Sequence, residues 1–192
     1  MLVPLALALA ASASSFDCTK ATTNVEKMIC ADPELAAADR AVAETYRAAK
    51  ARSMKGVVAD QQRWLAGRNE CANRNCVVSH YDDRLFELLP ASHLGRGYHS
   101  EGGKLTVLPL GSDWYAFAVL RTYVRWFPNP RDNRTTDAWA SGVFRLVDGK
   151  GERLADVSGW RLTRVRNGWR VECLPDIMSC GGLNATIDGE YR

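Results

Sequence analysis

The hydrophobic period of this chain changes once, near His93, and nothing else in the sequence constrains the fold as strongly. Between Thr22 and Leu89 apolar side chains recur at three- and four-residue steps, the spacing of helix faces packed on one another. Beyond His93, β-branched and aromatic residues cluster in short alternating runs. The pattern predicts an α+β protein: a disulfide-stapled helical bundle at residues 16–90, then a small antiparallel β domain, barrel or sandwich, at residues 104–192. Residues 91–103, rich in glycine, read as the linker. With 192 residues, 46% of them hydrophobic, the chain can bury a core in each part.

Local signals place the helices. Thr23 and Glu26 have the spacing of a capping box ahead of Val25, Met28 and Ile29. Asp32-Pro33-Glu34 restarts a helix, with an N-cap carboxylate, proline in the first turn and an acid at the positive dipole end. Leu35, Ala38, Val42, Tyr46 and Ala49 form its apolar stripe, and Ser53 and Gly56 break it. Val57, Val58, Gln61, Trp64, Leu65 and Arg68 continue at helical spacing. A last helix, with Asn75 as its expected cap, carries Val77, Tyr81, Leu85 and Leu88 and is expected to stop before Pro90. Strands are expected at Leu105–Leu108, Trp114–Phe127 and Ala140–Val147. A hairpin is expected over Trp160–Leu174, with Asn167-Gly168 as a type I′ turn. A final short strand should end at Tyr191.

Leu2–Ala11 is an apolar run of about ten residues, too short for the roughly 30 Å of a bilayer core. Ala11-Ser12-Ala13 follows with the small-residue pattern of a signal-peptidase site. Residues 1–15 are therefore expected to be a signal peptide cleaved near Ala13, and the protein to be periplasmic or secreted. In an oxidising compartment the six cysteines, Cys18, Cys30, Cys71, Cys76, Cys173 and Cys180, are expected to form three disulfides. The helices near 33–52 and 55–70 must run antiparallel, which brings the first four cysteines to one end. The simplest pairing across that hairpin is nested, Cys30–Cys71 with Cys18–Cys76, and the crossed pairing stays open. Cys173 and Cys180 should close a local staple. A zinc site is disfavoured because the C-x₂-C knuckles of structural zinc are missing.

Charge gives little to a nucleic-acid reading. The net charge is +3, with 11 basic and 11 acidic residues in 16–92 and 14 and 11 in 93–192. Arg161, Arg164, Arg166 and Arg170 surround one hairpin, either as a site for an anion or as a solvated, protected sheet surface. Asp39, Arg63, Arg68 and Arg84 fall on or beside inward helix faces and should form ion pairs that fix helix register. Asp82 and Asp83 diverge by about 100° on a helix, so they do not converge on one bond as catalytic carboxylates must, and they read as a solvated face. His80 stands beside Ser79 without helical facing. No nucleophile elbow, phosphate loop, HExxH or dinucleotide fingerprint is present. No catalytic residue, cofactor or metal is expected, and the chain reads as a binding protein. Asn184-Ala185-Thr186 fits the glycosylation pattern. Five of six tryptophans (Trp114, Trp126, Trp139, Trp160, Trp169) fall in the β half, as core or as platforms for sugar rings; the loop Trp126–Pro130 is where exposure would mean most.

The helical half resembles the LprI-type lysozyme inhibitors. The resemblance is carried by Phe16-Asp17-Cys18, Glu26-Lys27-Met28-Ile29-Cys30, Asp32-Pro33-Glu34-Leu35, Asp39 and Tyr46. It continues through Gln62-Arg63-Trp64-Leu65, Arg68-Asn69, Cys71, Cys76, Tyr81 and Arg84-Leu85. One departure is Ala38, where the family usually has a larger aliphatic residue. The resemblance implies an envelope or secreted protein that binds lysozyme and protects the cell wall. A glycan- or peptidoglycan-binding module using the tryptophan-rich half is the alternative of a different class.

Overall fold

The computed structural model describes residues 14–125, 134–153, 159–174, 180 and 185–192. The leader with its cleavage position, the Trp126–Pro130 loop and Asn184 lie outside them. After a 3-10 turn at Cys18–Lys20 come four helices: α1 (Asn24–Ala31), α2 (Pro33–Ala51), α3 (Val57–Asn69) and α4 (Arg74–Ser92). Thr23 and Glu26 close the capping box at α1, and Asp32 Oδ1 accepts from the N–H groups of Glu34 and Leu35 at α2. Two boundaries differ from expectation. Asn73, not Asn75, caps α4 by accepting from Cys76 N at 3.0 Å. The helix also runs through Pro90 to Ser92, because the buried Leu88, Leu89 and Ser92 anchor this turn and outweigh the one missing hydrogen bond.

Eight strands follow, in two antiparallel four-stranded sheets. The first is β1 (Arg96–Ser100), β2 (Gly103–Gly111), β3 (Trp114–Arg125) and β4 (Arg134–Arg145), in that order. The second is β5 (Lys150–Arg153), β6 (Trp160–Val165), β7 (Gly168–Cys173) and β8 (Gly189–Tyr191). The segment read as a linker thus contains β1, whose Tyr98 is buried opposite Leu105. Its glycines mislead: they serve the approach to β2 and the tight turn at Gly102 (φ 67°) rather than a flexible connection. The I′ turn is also elsewhere. Ser112 and Asp113, between β2 and β3, both have positive φ (49° and 63°), whereas Arg166-Asn167 forms the β6–β7 turn without it.

The layers are helices, first sheet, second sheet. Alternation along β3 shows how one strand serves both interfaces: Ala116 and Ala118 face the helical core, Phe117 and Val119 the second sheet. Small residues toward the helices let α4 lie close against β3 and β4, where Ser141 donates to Asp82 O at 2.6 Å. Between the sheets, Phe117 meets Trp160 edge-on at 4.5 Å, and Phe144 meets Trp160 and Trp169. The two sheets are joined along one edge by a reciprocal backbone pair between His99 and Arg192, 2.9 Å each way.

The disulfides are Cys18–Cys30, Cys71–Cys76 and Cys173–Cys180. The first two overturn the pairing across the hairpin. The 3-10 turn folds the chain back onto α1, leaving Cys18 and Cys30 with Cα atoms 5.8 Å apart. Cys71 and Cys76 flank the α3–α4 corner at 5.5 Å. Each cysteine thus finds a partner on its own side of the hairpin.

Candidate functional site

The helical layer carries a groove of about 620 Å³ between α2, α3 and the segment before α1. Helical spacing builds both walls: Asp39, Val42, Tyr46 and Arg47 on α2, and Val58, Gln61, Gln62, Leu65 and Arg68 on α3. Phe16 closes one end and Trp64 lines the floor. The floor is apolar and half-buried, while Arg47, Val58 and Gln62 stand exposed at the rim. Of the residues that carry the family resemblance, Phe16, Asp39, Tyr46, Gln62, Trp64, Leu65 and Arg68 converge on this one concave surface, which no single helix face reveals.

Under the groove lies a buried polar cluster. Asp39 Oδ1 accepts from Tyr81 Oη at 2.8 Å and pairs with Arg68 Nη1 at 3.4 Å, and Arg68 Nη1 also donates to Tyr81 Oη at 3.0 Å. Asp39 Oδ2 accepts from Ser15 N at 2.7 Å, tying the segment before Cys18 to α2. The Arg68 guanidinium lies 5.3 Å from the Trp64 ring centre, and Trp64 Nε1 donates to His80 O at 2.8 Å. Burial, then the Asp39 carboxylate, push the Tyr81 hydroxyl far above the usual tyrosine range, so it stays a neutral donor. The cluster holds α2, α3 and α4 in one register.

The other singled-out residues separate. Arg84 is buried, with Nε donating to Gln61 Oε1 at 2.9 Å and Nη1 to Glu87 at 2.6 Å. Arg63 is exposed and, among the described residues, its ion pair is with Asp60 one turn back. Asp83 is exposed, but Asp82 is not part of a solvated face: its side chain is 13% exposed and binds Arg153 of β5, with Arg153 Nη2 3.1 Å from Oδ1. Arg153 also donates to Glu34 Oε1 at 2.8 Å, so one guanidinium clamps α2, α4 and the second sheet. It passes Gly142 (φ 152°), where a Cβ would sit 2.7 Å from Arg153 Nη2. Burial pushes the Asp82 carboxyl up to about 6 despite its cationic partner.

Sulfurs of Cys71 and Cys76 and a ring nitrogen of His80 lie within 4.8 Å of one another. Both sulfurs are committed to a disulfide, so this set offers no thiolate to a metal in the oxidised protein. Trp160 and Trp169 are core, Trp114 packs partly buried beneath the helices, and Trp139, 43% exposed, meets the Phe86 ring at a tilt of 41° and 5.0 Å between centres. Most of the tryptophan count is thereby used for folding. Among the described residues no helix is long and apolar enough to cross a membrane.

Residues 18–88 match the family model described as lysozyme inhibitor LprI. Two curated relatives, each a protein called lipoprotein LprI, come from Mycobacterium bovis and Mycobacterium tuberculosis. Each is 35% identical over 79 residues, which cover 38% of this chain and 40% of the relative. The chain thus spans less than half the length of these relatives, and the match falls on the helical layer. No solved structure matches.

Proposed function

We propose, from the LprI match over residues 18–88, that this is an exported, lysozyme-inhibitor-like protein whose helical module binds lysozyme and blocks it, protecting the cell wall. The supporting observation is that Tyr46, Gln62, Trp64, Leu65 and Arg68, which carry the sequence resemblance and fall within the matched span, line one groove. The mechanism needs no chemistry from this chain. A glycosidase works through two carboxylates flanking the scissile bond, and a protein that fills or caps that cleft stops turnover by exclusion alone. Exposed Arg47 and Gln62 offer a charge and an amide at the rim, while Tyr46, Trp64 and Leu65 supply the apolar centre that protein interfaces use as anchors. The Asp39–Arg68–Tyr81 cluster beneath keeps the groove walls fixed, which lowers the entropic cost of docking. On this reading residues 1–15 form the removed leader, residues 16–90 the inhibitory domain and the β region an accessory layer.

The test is titration of lysozyme with the oxidised mature protein on a soluble chitooligosaccharide. Saturating inhibition near one-to-one, weakened by Gln62→Ala and Trp64→Ala with the fold intact, supports the reading. Absence of inhibition at micromolar excess against several lysozyme types overturns it. Protection of insoluble wall alone, with co-sedimentation, would instead favour a wall-binding module.

A further inference from the structure

Strand alternation puts apolar residues on the inner faces of the two sheets, yet two inner positions at one end hold arginine. Arg96 precedes the buried Tyr98 by two residues and pairs in register with the buried Val107, so it shares their face. Arg164 follows the buried Leu162 by two residues and pairs in register with the buried Trp169. Both emerge at the mouth between the sheets, around a cavity of about 290 Å³ that Arg166 and Asn167 of the β6–β7 turn also line. No carboxylate lines this cavity, and among the described residues none of the three arginines has an ion-pair partner.

The rest of the same hairpin shows that this is selective. Arg161 and Arg170, on its outer face, are each neutralised by a glutamate at 2.7 Å, Glu152 and Glu190. The inner arginines are instead held by aromatic rings: Arg96 lies 5.2 Å from the Tyr98 ring centre and Arg164 5.3 Å from that of Trp169. Arg164 Nη1 also donates to Tyr115 Oη at 3.4 Å, a long contact at the exposed edge; stacking fixes each guanidinium plane while its other edge N–H groups face the cavity mouth. Three clustered cations around a cavity of this size suit a compact, multiply charged oxyanion rather than a long polymer, and guanidinium forks match phosphate oxygens bidentately.

We propose that Arg96, Arg164 and Arg166 form a binding site for a phosphate group at the open end of the β layer. The site lies outside residues 18–88 and does not depend on lysozyme binding. A free anion and a phospholipid headgroup present the same phosphate chemistry, which the first test measures. Inorganic phosphate is titrated calorimetrically into the oxidised protein, into Arg96→Gln and Arg164→Gln, and into Arg161→Gln as a control on the same hairpin. Binding to the wild type and to R161Q, weakened about tenfold in each of R96Q and R164Q, is the expected result. Co-sedimentation with phosphatidylglycerol vesicles but not phosphatidylcholine, lost in the same two variants, would assign the headgroup as source; phosphate binding without such co-sedimentation would assign the free anion. Failure of the wild type to bind either probe, or equal binding by the wild type and by correctly folded R96Q and R164Q, overturns the proposal.

Discussion

The helical and β layers hold themselves together by different means. The helical interior buries charged and polar groups: Asp39, Arg68, Arg84 and Gln61 sit among aliphatic residues, every one with a partner. The β interior is aromatic, built on Trp160, Trp169, Phe117, Phe144 and Tyr191. Directional pairs fix which helix meets which and at what register, whereas stacked rings supply area with less geometric demand. The polar interior is also the part that matches a known family, and it underlies the groove. A binding surface there inherits its shape from partners that cannot be exchanged singly.

The sharpest way to break this comparison is to remove one member from each interior. Trp160→Ala should be the costliest, about 4 kcal/mol, because a fully buried ring leaves a cavity that two sheets cannot collapse into. Urea denaturation measures it. Asp39→Ala should cost about 3 kcal/mol by leaving Arg68 buried without its carboxylate. It should also release the segment at Ser15, which hydrogen exchange would detect as faster exchange of the Ser15 amide. If Asp39→Ala proved neutral, the polar interior would be dispensable and the contrast would fail.

Smaller effects sharpen it further. Replacing Cys18 and Cys30 by serine should lose about 3 kcal/mol and replacing Cys71 and Cys76 about 2, following loop length, with thermal unfolding as the check. Thr23→Ala should cost about 1 kcal/mol through the lost cap. The α1 capping box and the junction between the layers answer pH in opposite senses. At the capping box, the Thr23 and Thr22 backbone N–H groups hold Glu26 down to about 2, so its contribution is present above the ordinary value of 4.5 and lost as pH falls toward 2. At the junction, Asp82 titrates near 6 instead of the ordinary 3.8. Between these values the folded state holds a proton that the unfolded state has released. Asp82 therefore favours folding most below about 3.8, and this contribution fades as pH rises through 6. Subtracting the pH 4–6 stability slope of Asp82→Asn from that of wild type should leave a negative slope.

What could be read in the sequence follows the range of the forces involved. Thr23/Glu26 and Asp32-Pro33 act within one turn, so the starts of α1 and α2 were legible from neighbours alone. Both Cys18 and Asp82 were misplaced, for related reasons. The Cys18 partner depended on a short 3-10 turn that carries no hydrophobic period. The Asp82 partner lies 71 residues away on β5, beyond any local pattern. The groove residues could be named from their resemblance, but their convergence across α2 and α3 required the packed helices. Arg164 was visible as part of a basic hairpin; its separation from Arg161 became meaningful only with the register of β6 against β7.

The disulfides join first to second, third to fourth and fifth to sixth cysteine along the chain. A chain threading through a membrane pore presents its cysteines in that same order. On the proposed reading of an exported chain, each bond can therefore close as soon as its second thiol emerges, before the next pair arrives, without waiting for a distant segment.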